Sequence, residues 1–221
     1  MDVLEQRMRA AGLPVGVLRA RRAALPPAVQ ELHRQVLETI GRTGRPPAVG
    51  ALEAVAPSLG VGLPGALDAL DQAELLFLAR TSRAVLGGVP FAAGPTVHQV
   101  TVVGGPTVSA NCAIDALGIG AMLGRDTDLV SADPSSGQPV SATGREGRWT
   151  WQPAGAVVFV GSSGDGRITD ACCPAINFFA DEANALHHQR RHGLTCEVLT
   201  VPEAAEAAAL VFGGLLAGPP P

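Results

Sequence analysis

The stretch Thr107-Val108-Ser109-Ala110-Asn111-Cys112-Ala113-Ile114-Asp115-Ala116-Leu117 passes from one backbone pattern to another. Residues 107–110 read as a short strand, and Ala113–Leu123 as a helix of small apolar residues in spite of Gly118 and Gly120. A strand that hands over to a helix at a cysteine puts Cys112 at the helix start. Asp115, three residues on, then shares its face. The positive end of a helix favours thiolate at that position. Alone, a Cys-x-x-Asp of this kind is more often the mark of an inert buried cysteine beside a capping acid.

A second stretch, Asp170-Ala171-Cys172-Cys173-Pro174, shifts the balance. Adjacent cysteines on an extended chain point to opposite sides, so one can face a pocket while the other packs. Cys112 and either member of the pair can then meet around a soft cation, which thiolates favour. Spacing does not choose between Cys172 and Cys173. A structural zinc site is the rival, but it takes four closed ligands, often in Cys-x-x-Cys pairs, and this chain has no such pair. His187, His188 and His192 fall in an expected exposed helix and read as solvated. Cys196 reads as core, and His33 and His98 as surface or packing residues.

Further strands are expected over 97–103, 129–132, 139–143, 149–152, 156–160 and 198–201, with Gly- or Pro-bearing turns between several of them. The double cysteine leads through Pro174 to Ile176-Asn177-Phe178-Phe179. Asp181 caps a helix over Glu182–His192, and an Ala-rich helix follows over 202–216. Ahead of these, residues 1–25 read as an arginine-rich helical lead-in. Pro26-Pro27 opens a helix running to Ile40, and two shorter helices cover 48–56 and 64–73. Apolar runs at 75–79 and 84–89 flank Thr81-Ser82-Arg83 as a hairpin. Three helices and a hairpin are the order of a winged helix-turn-helix. With a linker over 90–96, the chain divides into 1–90, a helical lead-in and winged-helix-like domain, and 97–217, a second domain. The fold class is α+β, the second domain being built of small antiparallel or mixed sheets with flanking helices. The tail Gly218-Pro219-Pro220-Pro221 reads as frayed.

The 221 residues are 47% hydrophobic with a mean hydropathy of +0.24, which describes a folded chain. Net charge is −4. Residues 1–90 hold 10 arginines against 8 acids (+2) and residues 91–221 hold 6 against 12 (−6), in keeping with two parts. That balance argues against a general nucleic-acid binder. The segment Leu67-Asp68-Ala69-Leu70-Asp71-Gln72 is acidic where a DNA-reading helix is basic. No run reaches the roughly 18 apolar residues of a membrane span, and the N-terminus lacks the order of a signal peptide. A cytoplasmic, reducing compartment is expected, with the four cysteines as thiols or ligands.

Residues 107–124 and 171–180 together resemble the active-site segments of the organomercurial (alkylmercury) lyases: a cysteine, an acid three later, and a double cysteine followed by Phe178-Phe179. The likeness extends over about 26–216, since that family also sets a winged-helix-like unit before its catalytic domain. The resemblance implies that Cys112 and Cys172 bind mercury, that Asp115 gives the proton, and that Cys173 is the dispensable neighbour. It implies an organomercurial substrate cleaved to a hydrocarbon and a mercuric ion. No redox cofactor is needed; an external thiol completes turnover and a mercuric reductase can accept the metal. Ala113, Ile114, Leu117 and Phe178 would supply apolar walls. Some members carry a further cysteine where this chain has Asp133. Two other readings stand beside this one. The chain could be a relative that uses the same thiols for another soft metal or substrate, or a metal-responsive winged-helix regulator.

Overall fold

The computed structural model describes residues 3–13, 15–162 and 166–217; the tail at 218–221 lies outside them. The lead-in forms two short helices, α1 (Val3–Ala10) and α2 (Val17–Ala23). Pro27 then opens α3 (Pro27–Thr43) at the one helical position where a missing N–H is harmless. Its residues Val29, Leu32, Val36, Leu37 and Ile40 are buried along one face, as their spacing requires. Helix α4 (Val49–Val55) tightens into a 3-10 turn, and α5 (Leu63–Gln72) follows. Strands β1 (Phe77–Leu78) and β2 (Val85–Gly87) pair antiparallel, so the order of three helices and a hairpin holds. The acidic face of α5 is engaged: Arg83 of the hairpin turn pairs with Asp68 and Asp71, and Arg167 meets Asp71 at 3.1 Å.

Beyond Pro90 the chain lays down β3 (Gln99–Val102), β4 (Thr107–Ser109), α6 (Ala113–Leu123), β5 (Thr127–Ala132), β6 (Pro139–Arg145), β7 (Arg148–Gln152) and β8 (Val157–Ser162). The short α7 (Ile168–Ala171), then β9 (Asn177–Phe179), α8 (Glu182–His192), β10 (Thr195–Thr200) and α9 (Val201–Phe212) complete it. One sheet has the strand order β4-β3-β5-β6-β7 and another β10-β8-β9. All their pairings are antiparallel, which resolves the expected antiparallel or mixed sheets in favour of the first. Strand β10 starts earlier than its apolar residues suggest, because Thr195 and Cys196 pair with Ser162 and Gly161. It stops where α9 begins. There the Thr200 hydroxyl accepts from Glu203 N and the Glu203 carboxylate accepts from Thr200 N, a reciprocal cap that the Thr-x-x-Glu spacing encodes.

Helix α6 is buried on almost every side and lies against α9. Its glycines explain how it can. A Cβ at Gly118 would sit 2.1 Å from Cδ2 of the buried Phe212, so the absence of a side chain is what lets α9 approach. We expect Gly118→Ala to cost about 1–3 kcal/mol of unfolding free energy, since neither helix can retreat without opening the core. Urea unfolding of the two proteins measures it; a change within error would mean that the helices slide freely.

The lead-in is fastened onto this second part. Arg7 of α1 donates to Glu197 Oε2 (2.9 Å), Glu203 Oε1 (2.7 Å) and the Val198 carbonyl (2.9 Å). The buried Arg22 of α2 donates to the Ala217 carbonyl at 3.2 Å. One continuous apolar core runs from Leu4 to Leu215, through both parts of the chain. Among the described residues no single helix is long and apolar enough to cross a membrane.

Candidate active site

Cys112 is the N-cap of α6, in extended conformation, and its Sγ accepts from Asp115 N at 3.4 Å. Sulfur thus takes the place a Ser or Asp oxygen usually holds. The same geometry turns Asp115 back over the cap, as the three-residue spacing predicts. Asp115 Oδ2 accepts from Asn111 Nδ2 at 3.0 Å, and Asn111 is itself held to the Pro90 carbonyl at 3.2 Å.

The third member of the group is Cys173. Its Sγ donates to Asp115 Oδ2 at 3.9 Å, and one donor atom from each of Cys112, Asp115 and Cys173 lies within 4.8 Å of the other two. All three residues are buried. Cys172, which the family resemblance supplied for this role, has its Sγ elsewhere, 3.6 Å from the Gly12 carbonyl and 3.9 Å from Ser162 Oγ. The backbone explains the divergence. This segment is not extended: Cys172 has helical dihedrals (φ −102°, ψ −52°) and Cys173 opens a 3-10 turn with Pro174 in its first positions. Successive residues on such a turn point about a third of a circle apart. The Cys172 thiol, too, is pushed up by burial.

Burial decides the charge state of the group. Removal from water, the Cys173 thiol and the Asp115 carboxylate hold the Cys112 thiol well above its ordinary range. The expectation of a thiolate favoured by the helix N-terminus therefore does not hold. Desolvation outweighs the helix end. Asp115 is pushed up to about 7 by burial, with the Asn111, Cys112 and Cys173 hydrogen bonds pulling the other way. The site stores protons beside sulfur.

A small cavity of about 20 Å³ adjoins these atoms. Ile114 lines it as expected, whereas Ala113, Leu117 and Phe178 are not among its walls. Leu13, Val17, Leu18, Val89, Ile176, Val211 and Phe212 are, and most of them lie too far away in sequence for local spacing to reveal. A larger open groove of about 760 Å³ runs along the other side of α6, past Trp149 and Trp151, but holds none of the thiols.

The remaining sequence candidates have structural roles. His98 is buried, its Nδ1 2.8 Å from Ser131 Oγ and its ring on Phe178; burial pushes it down to about 4. His33 is buried rather than at the surface. His187 and His192 are exposed, as expected, while His188 stands edge-on to Phe159. Cys196 is half-buried, packed on the small core around Phe159 and Phe179. Asp133 ties two turns together: Oδ1 accepts from Ser135 N (2.7 Å) and Ser136 N (3.1 Å), Oδ2 from Ala180 N (3.0 Å) and Asn184 Nδ2 (2.8 Å).

Burial alone would raise the Asp133 carboxyl, but those four bonds hold it below the usual range. A depressed folded-state value means stability that is present above the unfolded pKa of about 4 and lost as pH falls through the folded one. We expect Asp133→Asn to cost about 1–3 kcal/mol at pH 7, with the gap to wild type narrowing below about pH 4. Urea unfolding at several pH values tests this; a gap that does not change with pH would show that the charge is immaterial.

Three comparisons bear on this geometry. A sequence model described as alkylmercury lyase matches residues 91–213. Comparison with curated protein sequences returns no match. Among solved structures, the mercury-bound form of MerB2 superposes with a TM-score of 0.73 at 20% identity, over 91% of this chain and 97% of that one.

Proposed function

The chain belongs to the alkylmercury lyase family, which makes it an organomercurial lyase, and we propose that Cys112, Cys173 and Asp115 carry its reaction. The observation behind this assignment is the grouping of two thiols and one carboxyl, all buried, with a donor atom of each within 4.8 Å of the others. Asp115 and Cys112 are the residues the sequence points to. Cys173 replaces Cys172 as second thiol because its sulfur is the one that faces the acid.

The reaction balances on these groups. An organomercurial arrives bound to an external thiolate. Cys112 displaces that thiolate, which leaves with the Cys112 proton. Cys173 then adds to mercury as its proton passes to Asp115, the acceptor of its S–H bond. Two sulfur donors raise electron density at mercury and make the attached carbon more basic. Asp115 protonates that carbon, the carbon–mercury bond breaks, and its electron pair goes into the new C–H bond. A hydrocarbon leaves, mercuric ion stays on two thiolates, and the carboxylate is regenerated. A carboxyl with a pKa of about 7 suits both halves of this relay, taking a proton from sulfur and giving it to carbon. External thiols remove the mercuric ion, and a mercuric reductase in the same reducing compartment is the acceptor we propose.

The test is hydrocarbon release from methylmercury and phenylmercury salts in excess thiol, followed by headspace gas chromatography. Release faster than with thiol alone is expected. Tight stoichiometric mercury binding with no hydrocarbon would sink the assigned chemistry and leave a thiol site serving another soft metal.

A further inference from the structure

The cavity beside the sulfurs has room for about one water molecule. A mercury atom carrying even a methyl group exceeds that, so one wall must give way when substrate binds. Half of the cavity's apolar lining sits on elements that are held in place, and Val89 stands just ahead of Pro90. Ile114 belongs to α6, and Val211 and Phe212 to α9, and these two helices are locked together around Gly118. Ile176 directly follows the 3-10 turn of the double cysteine.

The remaining wall is of another kind. Leu13, Val17 and Leu18 come from the lead-in, far ahead of residues 91–213 that match the family. Helices α1 and α2 have eight and seven residues, too short to keep their shape without the surface they cover. Between them Gly12 and Gly16 both have left-handed backbone (φ +84° and +88°), where glycine turns freely and other residues resist. The polar ties of α1 to the rest are two partly exposed ion pairs, individually weak, and the Arg7 bond to the Val198 carbonyl, while α2 is held by the buried Arg22. Thiolates anchor mercury and Asp115 must reach its carbon, so the organic group projects away from sulfur, and the cavity it would enter has apolar walls.

Resting on the lyase reading above, we propose that Leu13, Val17 and Leu18 are specificity-determining residues that contact the organic group and set the largest one admitted. Gly12 and Gly16 make the turns that carry this wall. Its apolar character fits alkyl and aryl groups and disfavours charged ones.

Two arms test this in parallel. In the first, kcat/KM is measured for phenylmercury and methylmercury with wild type, Leu13→Ala, Val17→Ala and Val17→Phe. Val17 is half-buried, so its variants keep the fold if Leu13→Ala does not. The phenyl-to-methyl ratio is expected to rise about tenfold or more in the alanine variants and to fall about tenfold in Val17→Phe. In the second, a Cys172→Ser, Cys196→Ser background carries the Val17 variants, and peptide mapping follows alkylation of Cys173 by N-methylmaleimide and N-phenylmaleimide. Val17→Ala is expected to speed the bulky reagent selectively, and Val17→Phe to slow it. Equal effects on small and large partners in either arm overturn the proposal. Absence of hydrocarbon release from wild type instead overturns the lyase chemistry, and the maleimide arm then decides whether this wall gates the thiols.

Discussion

Asp115→Asn is expected to lower hydrocarbon release about 100- to 10,000-fold, the usual range for loss of a general acid, while still retaining mercury. Its second expected property is greater stability above neutral pH. The two follow from one fact: a fully buried carboxyl whose pKa is pushed up to about 7. In the unfolded chain the same group ionises near 4. Between those values the folded protein binds more protons than the unfolded one, so stability falls as pH rises from about 4 to about 7 and stays reduced above. Three units correspond to a few kcal/mol at most, and asparagine carries no such penalty. The Asn111 amide donates to the lost carboxylate oxygen and opposes part of the gain. Thermal unfolding at pH 5 and pH 8 measures the outcome. The variant is expected to gain on wild type between the two. A difference independent of pH would show that Asp115 ionises as an ordinary acid, and the proton relay would lose its basis.

Strongly shifted carboxyls cluster at functional sites, and the sequence already showed half of this arrangement. Cys112 and Asp115 were legible because one local rule fixes both. A short strand, a cap and a helix put the third residue of α6 back over the cap. The three helices and the hairpin between Pro26 and Pro90 were legible from apolar spacing and from Pro and Gly punctuation, as was the small-residue helix α6, whereas the helical lead-in was not read as two helices. What Gly118 is for was not, because Phe212 approaches it from nearly a hundred residues away. The wall of Leu13, Val17 and Leu18 was hidden for the same reason. An apolar residue of the lead-in looks alike whether it covers a core or a thiol. Asp133 was visible as a departure from a cysteine, but its four hydrogen bonds join turns that only the folded chain brings together.

Cys173→Ala and Cys112→Ala are each expected to reduce hydrocarbon release to the rate with external thiol alone, whereas Cys172→Ala is expected to keep it within a few-fold of wild type. This ordering reverses the roles that resemblance gave the neighbouring cysteines. The argument is geometric and then electronic. Cys173 Sγ shares the Asp115 carboxyl, while Cys172 Sγ lies beside the Gly12 carbonyl and Ser162 Oγ. Mercury held by one site sulfur receives half the electron donation, and the carbon attached to it is a poorer base for Asp115. Loss of Cys112 removes the α6 cap as well, since Asp115 N is left without its sulfur acceptor. Cys112→Ser restores an acceptor there but not a soft donor. It is therefore expected to recover stability without recovering turnover, which separates capping from catalysis. Retained activity in Cys173→Ala together with lost activity in Cys172→Ala would mean that the 3-10 turn re-forms around mercury to exchange the two thiols. The bound-state site would then have to be rebuilt on Cys172, with Gly12 and the lead-in displaced from its sulfur.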